Sequence, residues 1–200
     1  MRKAAVFDVG RVLFGWQLGA LFGKLFEDKS ELDWFLANVI TEEWHFQHDR
    51  GVDLDDMVPQ RIEQFPKYEA QILVYRERFN ETVTGPVNGT HELVHRLQEA
   101  GVPLFCLTNF GHEFWEHFRP TQPIFDLFDD IIVSGTEQVA KPEARIYEIV
   151  EERSGRSAAD LFFTDDNPAN IDAARARGWD AHIFTDASTL EAQLKAARLL

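Results

Sequence analysis

The stretch AAVFDVGRVL, residues 4–13, decides the fold class of this chain. Four apolar residues, Ala4 to Phe7, are followed at once by the acidic residue Asp8. An apolar run that ends in a polar residue is typical of a buried parallel strand whose tip opens into a loop. The stretch therefore predicts a first strand with a carboxylate at its carboxyl end.

The same pattern recurs along the chain. Four more apolar runs are candidate strands: Leu104 to Leu107, Ile131 to Val133, Leu161 to Phe163 and Ala181 to Phe184. Helical patterns that stop at a glycine lie between them: Thr90 to Ala100, Pro142 to Arg153 and Pro168 to Arg177. Each glycine suits a left-handed cap at the end of a helix. Alternation of strand and helix predicts an α/β fold with a doubly wound parallel sheet.

Residues 15–88 interrupt this alternation. The region carries helix-like segments, Leu18 to Phe26, Leu32 to Ile40 and Ala70 to Phe79, and has no convincing strand. It predicts a small all-helical cap inserted after the first strand, with residues 1–14 and 89–200 forming the α/β core domain.

Composition limits the classes of function. With 44% hydrophobic residues, 200 residues can bury one core and leave chain for a small cap. The net charge of −14 disfavours nucleic acid, because phosphate backbones are bound through Lys and Arg. No stretch has the apolar length that crosses a bilayer. An acidic small molecule would need a local cluster of cations or a metal.

The start of the chain and its cysteine content favour a reducing compartment. Met1-Arg2-Lys3 is followed directly by a strand-like run, without the apolar stretch of a signal peptide. Cys106 is the single cysteine, so no internal disulfide can form. We expect a cytoplasmic protein.

Polar residues at the strand ends should form one site. Asp8, Thr108, Asp165 and Asp166 each follow an apolar run. In an open parallel sheet, ligands bind where the carboxyl ends of the strands meet. These residues are therefore expected to converge.

Four segments in this order resemble the haloacid dehalogenase (HAD) superfamily. The opening nucleophile loop is similar to residues 6–13, and the second motif is similar to Leu107-Thr108-Asn109. The lysine motif is similar to residues 141–143, and the terminal acidic motif is similar to residues 163–167. The helical insertion resembles the cap of bacterial sugar-phosphate phosphatases of the glucose-1-phosphate type. The resemblance implies a Rossmann-like core and a phosphatase that acts on a small phosphorylated metabolite.

The resemblance also implies a metal site. Asp8 would be both the nucleophile, forming a phosphoaspartyl intermediate, and a magnesium ligand. The other protein ligands would be Asp166 and the backbone carbonyl of Gly10, an oxygen set that suits Mg²⁺. Asp165 would orient the neighbouring lysine or a metal-bound water.

Phosphate would be held by a second group of residues. Lys141 as a point cation, the Thr108 hydroxyl and the Asn109 amide would stabilise the transferring phosphoryl group. Arg11 is either a further contact to an anionic substrate or a solvated loop arginine. His112 follows the second motif and is a candidate for substrate contact or proton transfer.

The chain departs from the superfamily pattern at Gly10. Most phosphatases of the superfamily carry an aspartate there that protonates the leaving group and activates water. Its absence favours substrates with good leaving groups, such as anomeric phosphates, or a proton donor supplied by His112, His45, His48 or water.

Two other functions fit the same residues. A haloacid dehalogenase would use the same aspartate to attack carbon without a metal, although the pair Asp165 and Asp166 argues against it. A catalytically degenerate member would bind a phosphorylated ligand or a partner without turnover. The sequence specifies neither the substrate nor the oligomeric state.

Overall fold

A five-stranded parallel sheet forms the centre of the molecule in a computed structural model that describes residues 3–200. Seven strands occur in these residues: β1 (Ala4–Phe7), β2 (Phe14–Trp16), β3 (Val83–Pro86), β4 (Leu104–Thr108), β5 (Asp130–Val133), β6 (Leu161–Asp165) and β7 (Asp180–Ile183). The sheet order is β5-β4-β1-β6-β7, and every neighbouring pair is parallel. The doubly wound α/β prediction and all five predicted strands are confirmed.

Eleven α-helices occur in the described chain: α1 (Gly19–Phe22), α2 (Lys29–Asn38), α3 (Glu42–Asp49), α4 (Leu54–Gln64), α5 (Glu69–Arg78), α6 (Thr90–Glu99), α7 (His112–Phe118), α8 (Ser134–Glu137), α9 (Ala144–Ser154), α10 (Pro168–Ala176) and α11 (Ala187–Ala196). Gly155 and Gly178 follow α9 and α10 with φ of +62° and +91°, as their expected role in helix termination requires.

The register of the sheet places the strand ends beside one another. Phe7, the last residue of β1, lies opposite Cys106 in β4 and opposite Thr164 in β6. All of β1 is buried, because helices cover both faces of a parallel sheet. Asp8 therefore leaves β1 between the ends of its two neighbours, at the switch point of the topology.

Helix α9 begins two residues later than the sequence predicts. It starts at Ala144 with Glu143 at the N-cap, so Lys141 and Pro142 lie in the preceding turn. The side chain of Asn109 accounts for this difference, because it binds both the backbone N–H and the carbonyl of Lys141, at 2.9 and 3.0 Å. This backbone pairing holds Lys141 outside the helix.

The insertion after β1 is helical, as expected, but it is bounded by two strands. Helices α1 to α5 lie between β2 and β3, and these strands pair antiparallel as a separate two-stranded sheet. The sequence analysis missed this ribbon, because each strand is short and its partner lies about 70 residues away. We call residues 17–82 the helical insertion.

The helical insertion shares a hydrophobic core with the sheet. Phe35 and Tyr75 of the insertion belong to the same buried cluster as Phe7 and Phe162 of the sheet. Within residues 3–200, no helix is both long enough and apolar enough to traverse a bilayer. Met1 and Arg2, part of the basis for the predicted cytoplasmic location, lie outside the described residues.

Candidate active site

Asp8 lies on the floor of the site at the end of β1. Its carboxylate accepts a hydrogen bond from the backbone N–H of Val9 at 2.7 Å. The side chain is only 10% exposed, and burial raises the pKa of this carboxyl above its usual range, against the opposing effect of Lys141. A nearby cation is therefore needed to keep Asp8 ionised.

Lys141 supplies one such cation from the turn before α9. Its Nζ lies 2.8 Å from Asp8 Oδ1 and 2.6 Å from Asp165 Oδ2, and it donates to the carbonyl of Leu107 at 2.8 Å. Although burial opposes protonation, Asp165 and Asp8 raise the pKa of this lysine above its ordinary value. Lys141 is thus a fixed ammonium that joins the ends of β1, β4 and β6.

Asp165 has most of its acceptor sites occupied by protein donors. Besides Lys141, the side-chain amide of Asn170 lies 3.0 Å from both of its oxygens, and the Asn167 N–H donates to Oδ1 at 2.8 Å. The side chain is fully buried. This environment supports the expectation that Asp165 orients Lys141 rather than binding a metal directly.

Asp166 is more open than Asp165. Its side chain is 29% exposed, and its nearest cation is Arg11, with Nη1 3.8 Å away. Burial and the neighbouring Asp165 raise the pKa of Asp166. Ligand oxygens of Asp8, Asp165 and Asp166 all lie within 4.8 Å of one another. Three carboxylates beside one buried ammonium form a set of hard oxygen donors with excess negative charge, which fits a divalent cation.

A cavity of about 370 Å³ opens above this floor. The polar groups of the lining come from Asp8, Gly10, Arg11, Glu42, His45, Asp49, Asn109, Lys141, Asp166, Asn167 and Asn170. The apolar part of the lining comes from both the core and the helical insertion: Val9, Phe14, Trp16, Phe46, Phe79, Val83, Phe110, Phe118 and Pro168. The volume and the mixture of a few polar groups with apolar walls are typical of small-molecule sites.

Comparison with known proteins agrees with this geometry. A family model described as haloacid dehalogenase-like hydrolase matches residues 17–178. The chain is 31% identical over 188 residues to the sesquiterpene phosphatase astK of Aspergillus oryzae, covering 92% of this chain and 90% of that protein. The chain belongs to the haloacid dehalogenase-like hydrolase family.

Two further proteins also match this chain. An (S)-2-haloacid dehalogenase of Pseudomonas putida is 31% identical over 94 residues, covering 47% of this chain and 41% of that protein. The magnesium complex of the HAD family enzyme BT-2542 from Bacteroides thetaiotaomicron has a TM-score of 0.74 at 19% identity, covering 92% of this chain and 94% of the other. At that identity the likeness establishes the shared HAD fold.

Two of the predicted phosphate-binding residues, Thr108 and Arg11, lie at the end of β4 and in the cavity lining. Thr108 is buried at the tip of β4, with its hydroxyl 3.5 Å from the Asn109 carbonyl. Arg11 lines the cavity, where its guanidinium bonds Glu42 of α3 at 2.8 Å and lies 5.0 Å from the centre of the Trp16 ring. Arg11 therefore connects the nucleophile loop to the helical insertion.

The expectation for His112 is wrong as to its position. The ring turns towards α8, with Nδ1 3.0 Å from the Thr136 hydroxyl and Nε2 3.5 Å from Glu116, and it does not line the cavity. His112 begins α7, and its side chain is about half exposed. It is not placed to contact a substrate on Asp8.

His45 and His48 both lie on α3 but face different surroundings. His45 lines the cavity, stacked between Trp16 and Phe79 with ring-centre distances of 5.2 and 4.9 Å. The ring of His48 lies instead against Phe114, and its Nδ1 bonds the Val52 carbonyl at 2.9 Å. The two rings do not form a metal pair.

Asp49, which is not among the residues predicted from the sequence, also lines the cavity. It follows His45 by four residues, a spacing that places both side chains on one face of a helix. This spacing is the one feature of the sequence that could have associated Asp49 with His45. Its position in the site depends on how α3 packs on the core.

Proposed function

We propose that this HAD hydrolase is a magnesium-dependent phosphatase that cleaves a small phosphomonoester through a phosphoaspartyl intermediate on Asp8. The observation that carries the proposal is the buried Lys141, which joins Asp8 to Asp165 beside the more open Asp166. The sesquiterpene phosphatase relative supports a phosphate ester as substrate.

The oxygen cluster would hold magnesium through the carboxylates of Asp8 and Asp166 and the backbone carbonyl of Gly10. Magnesium would supply positive charge that lets an anionic nucleophile and an anionic phosphate approach each other. Solved structures of a HAD neighbour in complex with magnesium, and with magnesium and inorganic phosphate, support this choice.

The protein groups around Asp8 would carry out the rest of the chemistry. A carboxylate oxygen of Asp8 attacks phosphorus, and the bond from phosphorus to the leaving oxygen breaks. The Lys141 ammonium, the Thr108 hydroxyl and the Asn109 backbone amide stabilise the charge on the phosphoryl oxygens. Water then attacks phosphorus, inorganic phosphate leaves, and the Asp8 carboxylate is restored.

The lining of the cavity favours an apolar organic group on the phosphate. Aromatic rings from β2, α3 and α7 form the wall that faces the polar floor, and burying apolar surface against them contributes about 25 cal/mol per Å². A sugar phosphate offers less apolar surface for this contact. We therefore propose an ester of an apolar alcohol in preference to a sugar phosphate.

Dehalogenation is the second candidate, because the Pseudomonas putida dehalogenase matches part of the chain. Asp166 argues against it, since a substrate carboxylate would meet an additional open carboxylate beside Asp8. Release of chloride from 2-chloropropionate, without release of phosphate from any ester, would favour this function.

A substrate panel tests the proposal. Purified protein is assayed for phosphate release from alkyl, prenyl, aryl and sugar phosphates, with magnesium and with a chelator. We expect turnover only when magnesium is present, and the highest rates on the esters of apolar alcohols. Protein quenched in acid during turnover is then reduced with borohydride. Mass spectrometry of its proteolytic peptides locates the modified aspartate.

The outcomes separate the possibilities. Reduction at Asp8 in the parent, and none in Asp8→Asn, supports the covalent route. Turnover with modification at another residue, or with none, refutes it. Magnesium-dependent binding of a phosphate ester without any turnover would indicate a degenerate, ligand-binding member of the family.

A further inference from the structure

Position 10 offers no proton donor, although there is room for one. Gly10 lines the cavity two residues after Asp8, and a Cβ atom built on it would meet nothing within 4 Å. Its φ lies outside the left-handed region, so other residues could adopt this backbone. The acid and base that the proposed reaction needs must come from elsewhere in the cavity.

Asp49 is a buried carboxylate of the helical insertion that the proposed chemistry has not yet used. It ends α3, lines the same cavity, and is 5% exposed. Its Oδ1 has no hydrogen-bond partner among residues 3–200. An unpartnered buried carboxylate oxygen is costly, and a donor or acceptor on a bound substrate would satisfy it.

The backbone of Asp49 is attached to the core beside the phosphate site. Its carbonyl accepts a hydrogen bond from the Ser134 hydroxyl, which in turn accepts one from the N–H of Phe110 at 3.0 Å. Gly111 permits this close packing, since a Cβ there would lie 2.0 Å from the His48 ring. The end of α3 is thereby held against the loop that follows Thr108.

The second oxygen of Asp49 has a partner. His45 Nε2 lies 3.3 Å from Asp49 Oδ2, and His45 Nδ1 lies 2.8 Å from the hydroxyl of Tyr75. Trp16 and Phe79 stack on both faces of the His45 ring. One carboxylate oxygen thus lies beside a stacked imidazole, while the buried Oδ1 has no hydrogen-bond partner in the described chain.

We propose that Asp49 is the general acid and base of this enzyme, acting in place of the side chain that Gly10 lacks. The proposal rests on the proposed phosphatase function. As the bond from phosphorus to the leaving oxygen breaks, the Asp49 carboxyl gives that oxygen its proton and the alcohol departs. Asp49, now a carboxylate, takes a proton from the water that attacks phosphoaspartate, and the Asp8 carboxylate and inorganic phosphate separate.

The charges around Asp49 suit this cycle. Burial raises the pKa of its carboxyl to about 7, against the opposing effects of His48, the Gly111 N–H and Lys141. The buried Tyr75 has a pKa raised well above its usual value and stays neutral. A carboxyl that titrates near neutral pH can both give and accept a proton there.

The histidines are weaker candidates for the general acid and base than Asp49. Burial lowers the pKa of His45 to about 3, so at neutral pH its ring is the neutral imidazole and not the acidic imidazolium. Burial also lowers the pKa of His48, whose Nδ1 bonds a backbone carbonyl. His112 lies outside the cavity.

Asp49→Asn tests the role, because asparagine has the shape of the neutral carboxyl but cannot transfer the proton. We expect a fall in kcat of about 10² to 10⁴ on an alkyl phosphate. With para-nitrophenyl phosphate, whose leaving group needs no acid, the variant should release about one nitrophenolate per site in a burst, followed by slow turnover. Asp53→Asn is the matched control, since this exposed N-cap residue of α4 can be replaced by asparagine without losing the cap.

Relocating the carboxyl provides a readout that a structural role would not show. Adding Gly10→Asp to Asp49→Asn should restore at least about tenfold of the lost alkyl phosphatase rate, because the new side chain enters the open space beside Asp8. In the parent, kcat on the alkyl ester should fall as pH rises through about 7 and the acid form disappears. Asp49→Asn should lose this dependence.

Three results would overturn the role of Asp49. The first is a folded Asp49→Asn variant that hydrolyses the alkyl phosphate at the parental rate. The second is an inactive Asp49→Asn variant that shows no burst and whose activity Gly10→Asp does not restore. The third is a parent protein whose rate on the alkyl phosphate does not change across this pH range. The last measurement needs no variant and holds even if Asp49→Asn does not fold. A parent without any phosphatase activity would instead refute the proposed function itself.

Discussion

Lys141→Met should strongly destabilise the metal-free protein, because it leaves two buried carboxylates without their cation. The ammonium lies 2.8 Å from Asp8 and 2.6 Å from Asp165, whose side chains are 10% and 0% exposed. Methionine fills much of the volume of the lysine stem but carries no charge. Removing one partner of a buried ion pair costs about 3–5 kcal/mol. At about 2–4 °C per kcal/mol for a chain of this size, Tm should fall by about 6–20 °C.

The fall in Tm caused by Lys141→Met should become larger as the pH rises. Without Lys141, the folded-state pKa of Asp8, which burial already raises, should lie well above the unfolded value of about 3.9. A carboxyl of this kind destabilises the fold above its unfolded pKa, and the penalty shrinks as pH falls through its folded pKa. The difference in Tm should therefore be largest near pH 8 and smaller near pH 5. Magnesium at about 100 times its Kd should recover about 2.7 kcal/mol if the variant still binds it.

Thermal melts followed by circular dichroism measure this loss, with chelator and with magnesium at each pH. Lys24→Met is the matched control, since the exposed pair of Lys24 with Glu81 should contribute at most about 1 kcal/mol. A Tm for Lys141→Met within about 2 °C of the parent at the higher pH, or a loss that does not change with pH, would refute the reasoning.

Three further predictions concern the site and its supports. Asp8→Asn should keep the fold and lower turnover by at least about 10⁴-fold, measured as phosphate release, because the nucleophile is lost. Asp166→Ala should weaken magnesium binding more than Asp165→Ala, measured by calorimetry, and the reverse order would exchange their roles. Gly111→Ala should cost about 1–3 kcal/mol in a denaturant titration, because its Cβ would lie 2.0 Å from the His48 ring.

The alternation of strand and helix could be predicted from the sequence because its signals are local. The run from Ala4 to Phe7 and the four later runs are strands of the central sheet, as their mostly apolar character indicates. Asp8 and Asp165 could be placed at strand ends for the same reason. In parallel strands, a residue that ends one run must lie near the residues that end the neighbouring runs.

Contacts between distant segments were decided only by the tertiary structure. Nothing local in the sequence pairs Phe14 with Pro86, or directs the Asn109 side chain to the backbone of Lys141, which moves the start of α9. Each contact joins residues far apart in the chain, so no local pattern of the sequence predicts it.

Asp49 shows the same limit within the site. The sequence places it one helical turn after His45 on α3, but a helix alone does not show which face meets the core. That choice follows from packing: Ser134 holds the end of α3, and Gly111 leaves space for His48. Burial in the cavity wall then raises the pKa of Asp49, because its charge is removed from water, and this environment exists only in the folded chain.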